Sequence, residues 1–293
     1  MSVAYVTMVY NDEFFLELWL GHYRKFTNPE NIYIVTHGPQ PYVHEVAGDC
    51  NIVEIERDPR NPRLDQDRMS FLSTFCSELT EKHSRVVMND VDEIIALDPD
   101  VGWDLDAYIS NIPSSVNVIS PLGLEIMHRF DIESDYDYSR KMFDQRQFVR
   151  MNGWYTKPNI TNVPIVWGPD GHGCSHDTLY LDDNLYTFHL KWFDQNTHIR
   201  RHEERLGFRF NDEDGNEVVI GAGSWGWSEQ VYRIVTNSFL RFPILPEEKS
   251  FEFSAQRERV RSSFQEGKPG MYKIHWFVEG TLHILPDRFI GMI

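Results

Sequence analysis

The strongest constraint on the fold is an alternation of strand-like and helix-like segments through the first half of the chain. A continuous β-rich run, VAYVTMVY, covers residues 3–10 and is typical of a central strand buried on both faces. Apolar residues then recur at helical spacing from Phe15 to Phe26. A second such stripe comprises Met69, Leu72, Cys76 and Leu79, and further strand-like runs cover 31–36, 51–56, 84–88 and 116–120. This alternation predicts an α/β domain with a Rossmann-like, mostly parallel sheet flanked by helices.

The second half has a different and less regular pattern. Pro121 is predicted to close the strand that precedes it. Beyond it, short β-like runs at 162–167 and 184–192 alternate with loops of Gly, Asp and His, and helical patterns cover 231–240 and 254–264. No linker, internal repeat or low-complexity segment divides the chain. We therefore predict a single domain over residues 1–293, with an irregular α+β second half.

The net charge of the chain bears on its partners, and its cysteines bear on its location. The 28 Lys and Arg residues against 45 Asp and Glu residues give a formal net charge of −17, which repels nucleic-acid phosphates and anionic lipid. Three scattered cysteines, with no CxxC pair, indicate a reducing compartment, and we expect a cytoplasmic location. No basic leader and no unbroken apolar run of about 18 residues is present, so no membrane span and no nucleic-acid partner are predicted.

The sharpest local signal is the sequence Asn89-Asp90-Val91-Asp92-Glu93, directly after the strand-like run 84–88. Ligands of open α/β sheets bind beyond the carboxyl ends of the strands. Two carboxylates at positions i and i+2 of such an end can lean toward one cation, and oxygen ligands suit Mg²⁺ or Mn²⁺. The alternative is a solvated acidic turn, because an Asp-x-Asp tripeptide is common by chance.

Several later residues can serve the same site. His189 and Lys191 lie two apart in a β-like run and therefore face one way, so His189 is a candidate metal ligand and Lys191 a candidate diphosphate ligand. His189 is equally consistent with a half-buried strand histidine. His172 lies in a Gly- and Asp-rich loop typical of substrate contact, and a plain turn is the alternative. Trp225 and Trp227 flank Gly226 and are either sugar-stacking residues or buried anchors of the loop.

Four segments together resemble the family 2-like glycosyltransferases of the GT-A fold. The segments are VTMVYNDEFFLELWLGHYRKF, NIYIVTHG, VVMNDVDEIIALDP and KPNITNVPIVWGPDGHGCSHD, the last followed by LYTFHLKWFD. The resemblance covers residues 3–194, about two-thirds of the chain, and rests on the order and spacing of these motifs. It implies a nucleotide-sugar-binding half over 1–125 and an acceptor-side half over 126–293.

The resemblance also implies roles for individual residues. Asp90 and Asp92 correspond to the carboxylates that bind the metal ion and the nucleotide diphosphate. Asn11 and Asp12 fall where the base or the ribose would lie, and Thr36 falls where the base is often contacted. Asp65 and Arg68 open the helix that flanks the nucleotide pocket. Lys157, before Pro158, could place a cation near phosphate or lie on the surface; both interpretations remain open.

These expectations define an enzyme of the hexosyltransferase type. It would move a sugar from a nucleotide-sugar donor, for instance a UDP-sugar, to a hydroxyl of a glycan, lipid-linked or protein acceptor in polysaccharide biosynthesis. Family resemblance favours inversion, with Mn²⁺ or Mg²⁺ as cofactor. Candidate general bases are Glu125, Asp170 and Asp177. Two alternatives remain: a non-catalytic nucleotide-sugar-binding module and a metal-dependent phosphoester hydrolase.

Overall fold

A large mixed β-sheet with helices on both faces forms the framework of the protein. The computed structural model describes residues 2–58, 60–61, 63–206, 209–211, 217–219, 227–246, 251–275 and 277–293. Eleven strands of these residues join one sheet, in the order β12-β15-β7-β6-β8-β4-β1-β2-β3, with β9 beside β6 and β5 beside β9. The α/β class predicted from the alternating pattern is therefore confirmed.

The first half of the chain builds the parallel part of this sheet. Its elements are β1 (Val3–Val9), α1 (Glu13–Tyr23), β2 (Ile32–His37), α2 (Pro41–Ala47), β3 (Asn51–Ile55), α3 (Leu64–Leu79) and β4 (Arg85–Met88). β1 pairs in parallel with both β2 and β4, and β2 pairs in parallel with β3. The carboxyl ends of β1 to β4 consequently lie along one edge, where ligands of such sheets bind.

The middle of the chain adds strands of both directions. Its elements are β5 (Glu93–Leu97), α4 (Leu105–Asn111), β6 (Val118–Met127), β7 (Phe148–Met151), β8 (Ile160–Thr161) and β9 (Tyr180–Trp192). β5 runs antiparallel to β9, and β9 runs parallel to β6. Because β5 follows Asp90 and Asp92 directly, both aspartates lie in a short turn between two strands of the sheet.

The remaining elements flank this sheet or extend its far edge. They are α5 (Gln195–Leu206), β10 (Arg209–Asn211), β11 (Glu217–Val219), α6 (Glu229–Phe239), β12 (Ile244–Leu245), α7 (Ser254–Ser263), β13 (Phe264–Lys268), β14 (Met271–Ile274) and β15 (Leu282–Ile284). β10 with β11 and β13 with β14 form two separate hairpins. β12 and β15 join the main sheet beyond β7. Strands from both halves of the chain therefore share the main sheet.

Side-chain alternation along β1 explains why the sheet has two covered faces. Val3, Tyr5 and Val9 point into the larger core cluster, which also contains the buried residues of α1. Ala4, Val6 and Met8 point the other way, against the predicted stripe of α3, namely Met69, Leu72, Cys76 and Leu79. A strand buried on both faces reads as a continuous apolar run, as residues 3–10 do.

Two secondary-structure predictions are wrong, and both involve proline. The strand expected to stop at Pro121 continues to Met127, since the pairing of β6 with β9 shifts register between Ser120 and Leu122 and so accommodates the missing N–H. The strand predicted over 162–167 is absent from the described structure, apart from an isolated bridge between Trp167 and Cys174. Pro164 lies within that run and cannot donate to a ladder.

Two further observations bear on the setting of the protein. Cys50, Cys76 and Cys174 are buried and unpaired. Among the helices of the described residues, none has the length and apolar character needed to cross a bilayer.

Candidate functional site

Asp90 and Asp92 lie where the sequence places them, at the carboxyl end of β4. Their side chains are 30% and 17% exposed, so neither is sealed in the core. Val91 between them is buried, which fixes the turn and holds both aspartates at the edge of the sheet. The two carboxylates, however, contact different groups, and each defines one half of the site.

Asp90 is held between two cations. Its Oδ1 accepts from Nη1 of Arg68 at 3.2 Å, and its Oδ2 accepts from Nζ of Lys157 at 2.8 Å. Burial alone would raise the pKa of Asp90, but Lys157 and Arg68 hold it well below its usual range. The Lys157 ammonium is also 2.7 Å from Oε1 of Glu93, and its side chain is only 5% exposed. Lys157 is therefore a central residue of the site, and the surface interpretation of it is wrong.

Arg68 connects Asp90 to a second pair of carboxylates. Its Nη2 donates to Asp65 at 2.9 Å and to Asp170 at 3.0 Å, so one guanidinium holds three acidic side chains. Burial raises the pKa of Asp65, and the neighbouring Asp170 carboxylate raises it further against the opposing effect of Arg68. Asp170 has a left-handed backbone and a side chain that is 42% exposed, which leaves it accessible at the rim.

Asp92 shares a different cation with Asp12. Arg201, from α5, places Nη2 at 2.7 Å from Oδ2 of Asp12 and Nη1 at 3.5 Å from Oδ2 of Asp92. Asp12 precedes α1, but its side chain makes no cap hydrogen bond to that helix. Its carboxylate contacts Arg201 instead. Arg201 also stacks over the Phe15 ring at 4.3 Å. It thereby joins the end of β1 to the turn after β4.

A row of charged and polar side chains crosses four strands behind Asp92. Strand register pairs Glu93 of β5 with His189 of β9, His189 with Glu125 of β6, and Glu125 with Arg150 of β7. Residues paired directly across a sheet project from the same face, so the four side chains lie in one row. Nδ1 of His189 lies 3.4 Å from Oε1 of Glu125, whose other oxygen accepts from Nε of Arg150 at 2.6 Å.

This row fixes the protonation and orientation of its members. Burial would raise the pKa of Glu125, but Arg150 and His189 hold it well below its usual range. Burial lowers the pKa of His189 against the opposing effect of Glu125 and Asp92, which favours the neutral imidazole. Tyr155 stacks on the His189 ring with centroids 3.7 Å apart and fixes its plane. His189 is accordingly an oriented, neutral imidazole with Nε2 toward Asp92.

Asp92 and His189 present an oxygen and a nitrogen donor to each other. Oδ2 of Asp92 lies 4.0 Å from Nε2 of His189, too far for a hydrogen bond. Two ligands about 2.1 Å from a shared octahedral ion lie about 3.0 Å apart when adjacent and about 4.2 Å apart when opposite, so the observed separation is close to that of opposite ligands. A carboxylate on the second ring nitrogen, here Glu125, is the usual support for a metal-binding histidine.

Asp90 is not part of this donor pair, contrary to the predicted set of Asp90, Asp92 and His189. Both of its oxygens face Arg68 and Lys157. Within the described ranges, no group of three or more His, Cys, Asp or Glu side chains is arranged to hold a metal ion. A cation at Asp92 and His189 would therefore need its remaining ligands from water or substrate, as Mg²⁺ sites commonly do.

His172 lies beside Asp90 and joins the site to an aromatic turn. Its Nδ1 donates to the carbonyl oxygen of Trp154 at 2.8 Å, and its ring lies 4.4 Å from the Trp154 ring. Desolvation, together with the nearby Lys157 ammonium, lowers the pKa of His172 to about 3, so the ring is neutral at ordinary pH. His172 follows Asp170 by two residues, and the loop 168–172 thus borders both Arg68 and Trp154.

The ends of β1 to β3 supply a separate, more open part of the same edge. Asn11 is exposed with a left-handed backbone, and its N–H donates to Oε1 of Gln40 at 2.5 Å. Thr36 is fully buried, and its hydroxyl donates to the carbonyl of Gly38 at 2.6 Å while accepting from Gln40. Thr36 therefore shapes the turn after β2 and has no surface for the base contact that the resemblance implies.

The surroundings of the remaining predicted residues differ from one residue to the next. Nζ of Lys191 lies 4.9 Å from the centroid of the Trp192 ring, and the charge of Lys191 contributes to lowering the pKa of His189. Asp177 is exposed in the loop before β9, and no contact among the described residues joins it to Asp90 or Asp92. Trp227 packs on Tyr232, 5.4 Å between ring centroids, at the edge of a small core cluster. Trp225 lies outside the described residues.

Sequence reasoning missed the partners that give the site its form. Arg201 belongs to a charged helix, Arg150 to a short strand, and Trp154 to a turn, and none has a local motif. The pairing of His189 with both Glu93 and Glu125 depends on strand register. No protein-family model matches this chain, and no curated protein matches it significantly.

Proposed function

We propose that the protein is a glycosyltransferase of GT-A type that moves a sugar from a nucleotide-sugar donor to an acceptor hydroxyl. The observation that carries the proposal is that Asp90 and Asp92 contact different groups. One carboxylate anchors a pair of cations, and the other faces an oriented imidazole at a distance that suits a shared metal ion. A diphosphate needs both features, because its charge must be met locally in a chain of net charge −17.

Asp92 and His189 would hold Mn²⁺ or Mg²⁺, which offsets negative charge on the departing diphosphate. The chain's own residues perform the remaining tasks. Arg68 and Lys157 would contact the diphosphate, and Asp90 holds both of them in place. Arg201 holds Asp12 and Asp92 together. Glu125 orients His189 and is a positioning residue, because it is buried and already paired with Arg150.

We propose that Asp170 is the general base that removes the proton from the acceptor hydroxyl. Glu125 is 2% exposed, and Asp177 is not joined to the cluster by any contact of the described residues. Asp170 borders the cluster through Arg68 and keeps 42% of its side chain exposed. A general base must reach the hydroxyl that it deprotonates, and Asp170 is the predicted base best placed to do so. Attack opposite the leaving diphosphate would invert the anomeric carbon, as the resemblance implies.

The nucleoside would lie over the ends of β1 to β3, where Asn11 is exposed. Tyr10 is 40% exposed there and carries the Arg57 guanidinium 3.9 Å from its ring centroid. A flat aromatic surface of this kind suits a nucleobase. Three unpaired cysteines favour a cytoplasmic setting for the enzyme, with glycan, lipid-linked or protein acceptors.

A thermal-shift screen of nucleotide sugars, with and without Mn²⁺, tests the proposal. A donor at 100 times its Kd adds about 2.7 kcal/mol of stability, which corresponds to an increase in Tm of about 4 °C for a chain of this size. We expect at least one donor, for instance a UDP-sugar, to raise Tm only with the metal, and EDTA to abolish the effect. If no nucleotide sugar stabilises the protein under either condition, the transferase proposal is wrong.

Two controls separate the alternative functions. Release of nitrophenol from p-nitrophenyl phosphate, with no acceptor present, would indicate a phosphoester hydrolase. Metal-dependent donor binding with no UDP released, even after long incubation with mixed glycan acceptors, would indicate a non-catalytic binding module. A transferase instead releases the nucleotide, and an acceptor increases the rate of release.

A further inference from the structure

Arg68 is the cation on which three acidic side chains of the proposed site converge. Its Nε and Nη2 both donate to Oδ1 of Asp65, at 3.2 and 2.9 Å. Nη2 also donates to Oδ1 of Asp170 at 3.0 Å, and Nη1 donates to Oδ1 of Asp90 at 3.2 Å. A guanidinium has five N–H groups, and these contacts use four of them, one on Nε, two on Nη2 and one on Nη1. That leaves one N–H for the diphosphate that the proposed function brings to Arg68.

The charge around Arg68 and Lys157 also opposes a diphosphate. Among the described residues, these two cations contact four carboxylates, namely those of Asp65, Asp90, Glu93 and Asp170. Burial raises the pKa of Glu93 to about 8 against the opposing effect of Lys157, yet three carboxylates still face two cations when Glu93 is protonated. A further anion joins this group more readily once one carboxylate has left it, because like charges repel at short range.

Asp170 is the least firmly held of the three carboxylates on Arg68. Asp90 also accepts from Nζ of Lys157 at 2.8 Å, and Asp65 lies on α3, one turn before Arg68. Asp170 lies in a loop, and its side chain is 42% exposed, against 34% for Asp65 and 30% for Asp90. Its backbone has a left-handed conformation, which few residues with a side chain adopt. Asp170 is therefore the carboxylate that an incoming anion displaces most easily.

We propose that the ion pair between Asp170 and Arg68 is an autoinhibitory contact, which the donor's diphosphate breaks by taking the place of Asp170 on Arg68. This inference rests on the proposed function and adds a regulation of the same site. While Arg68 holds Asp170, Oδ1 of the proposed general base faces the guanidinium in place of an acceptor hydroxyl. Displacement by the diphosphate turns the carboxylate free, so the base becomes available only when a donor is bound.

Calorimetric titration of nucleoside diphosphates tests this inference, because removal of a competitor strengthens binding of the ligand. The probes are UDP, GDP, ADP and dTDP, each with MnCl₂ present. For the probe that binds most tightly, we expect Asp170→Asn to bind about fivefold more tightly than the wild type, the upper range for a partly exposed ion pair. Asparagine suits the left-handed backbone at this position, so the variant preserves the loop.

Asp177→Asn is the matched control for the loss of one negative charge. Asp177 is exposed in the loop before β9, and no contact among the described residues joins it to Arg68. The same change of net charge at this position should leave the affinity for the probe unchanged.

Arg68→Met separates competition for Arg68 from general repulsion by Asp170. Without the guanidinium the diphosphate loses a partner, so we expect weaker binding. Adding Asp170→Asn to this variant should bring no gain, since the two groups no longer share a partner. An equal gain in both backgrounds would show that Asp170 only repels the ligand, and would overturn the autoinhibitory contact. Where Arg68→Met leaves no measurable binding, the comparison of Asp170→Asn with Asp177→Asn decides.

The remaining outcomes distinguish the inference from the proposed function. If Asp170→Asn binds no more tightly than the wild type, or if Asp177→Asn gains as much, the autoinhibitory contact is overturned and the transferase proposal stands. If no nucleoside diphosphate binds either the wild type or Asp170→Asn, the proposed function itself fails, and this inference fails with it. Tm of each protein in the same buffer shows whether it is folded. Asp170→Gly, which also suits a left-handed backbone, replaces Asp170→Asn if that variant is not.

Discussion

Arg201 shows how one side chain can shape the proposed metal site without binding the metal. Its guanidinium lies 2.7 Å from Asp12 and 3.5 Å from Asp92, so it competes with any cation for the charge of Asp92. Its side chain is 10% exposed, which weakens solvent screening of these contacts. Asp92 is therefore partly neutralised before a metal ion arrives.

Replacing Arg201 by Met should increase the affinity for Mn²⁺ in the absence of nucleotide. We expect a gain of about tenfold, equivalent to about 1.4 kcal/mol, because the attraction between Asp92 and Arg201 is removed and only partly screened. Calorimetric titration of Mn²⁺ alone measures the effect. Arg233→Met, which breaks a solvent-exposed pair with Glu229, is the matched control. Unchanged or weaker binding in Arg201→Met would contradict the assigned role.

The positions of Asp90 and Asp92 at a strand end could be predicted from the sequence, but the different partners of the two carboxylates could not. Asp90 and Asp92 could be located because they follow a strand directly, and strand ends carry sites in this class of fold. Lys157 could be named as a candidate cation near phosphate, but its contact with Oδ2 of Asp90, 67 residues away, arises only in the folded chain. A pattern of local residues holds no information about such a partner.

At the scale of elements, the site depends on strand register. Glu93, His189, Glu125 and Arg150 form one row because β5, β9, β6 and β7 pair at those residues. The two longer helices of the first half, α1 and α3, and most of its strands could be predicted, because buried residues recur at the spacing of each element. The short helices α2 and α4 were not predicted. Register could not, because it arises between segments that are distant in sequence. β6 illustrates the difference, since a shift of register lets it continue past Pro121.

The buried pair of Glu125 and Arg150 should show strong energetic coupling. Glu125→Gln leaves the Arg150 charge unpaired, and Arg150→Met leaves the Glu125 charge unpaired. Each single variant should therefore lower the unfolding free energy by about 3–5 kcal/mol. The double variant should cost clearly less than the sum, because neither charge is then left alone. Urea denaturation of the four proteins completes the cycle. Additive losses would mean that the two residues do not act as a pair.

Gly123 is where the turn 152–156 crosses β6, and it has no room for a side chain. A Cβ there would lie 2.3 Å from the carbonyl carbon of Tyr155 and 2.5 Å from the backbone nitrogen of Thr156. Gly123→Ala should therefore cost at least about 3 kcal/mol, because backbone must move. Gly21→Ala, with nothing within 4 Å on α1, should instead stabilise by up to about 1 kcal/mol. Equal effects in denaturation experiments would refute the close crossing.

At the scale of the whole molecule, a buried histidine couples stability to pH. His22 lies in α1 against β5, where its Nε2 donates to the carbonyl of Ile95 at 2.9 Å. Burial lowers the pKa of His22 from 6.5 to about 3. Between those values the unfolded chain binds a proton that the folded protein excludes, so the stability that His22 contributes is lost as pH falls from about 6.5 toward 3.

His22→Gln removes this titration and should change the pH dependence of stability. Wild type should lose about 2 kcal/mol more than the variant between pH 7 and pH 5, because one pH unit below the unfolded pKa costs about 1.4 kcal/mol. Urea denaturation across that range measures the difference. Parallel curves for the two proteins would show that His22 is not excluded from protonation in the folded state.

The central claim is that Asp92 and His189 hold a divalent cation beside a bound diphosphate. Calorimetric titration of Mn²⁺ into protein saturated with UDP tests it most directly. The account predicts one Mn²⁺ per wild-type chain, binding at least about 100-fold weaker in Asp92→Asn, since a charged ligand is lost. Binding should be unchanged in Asp100→Asn, where the carboxylate is 75% exposed and paired with Arg288 instead. Undetectable binding to the wild type, or equal affinity in Asp92→Asn, would contradict it.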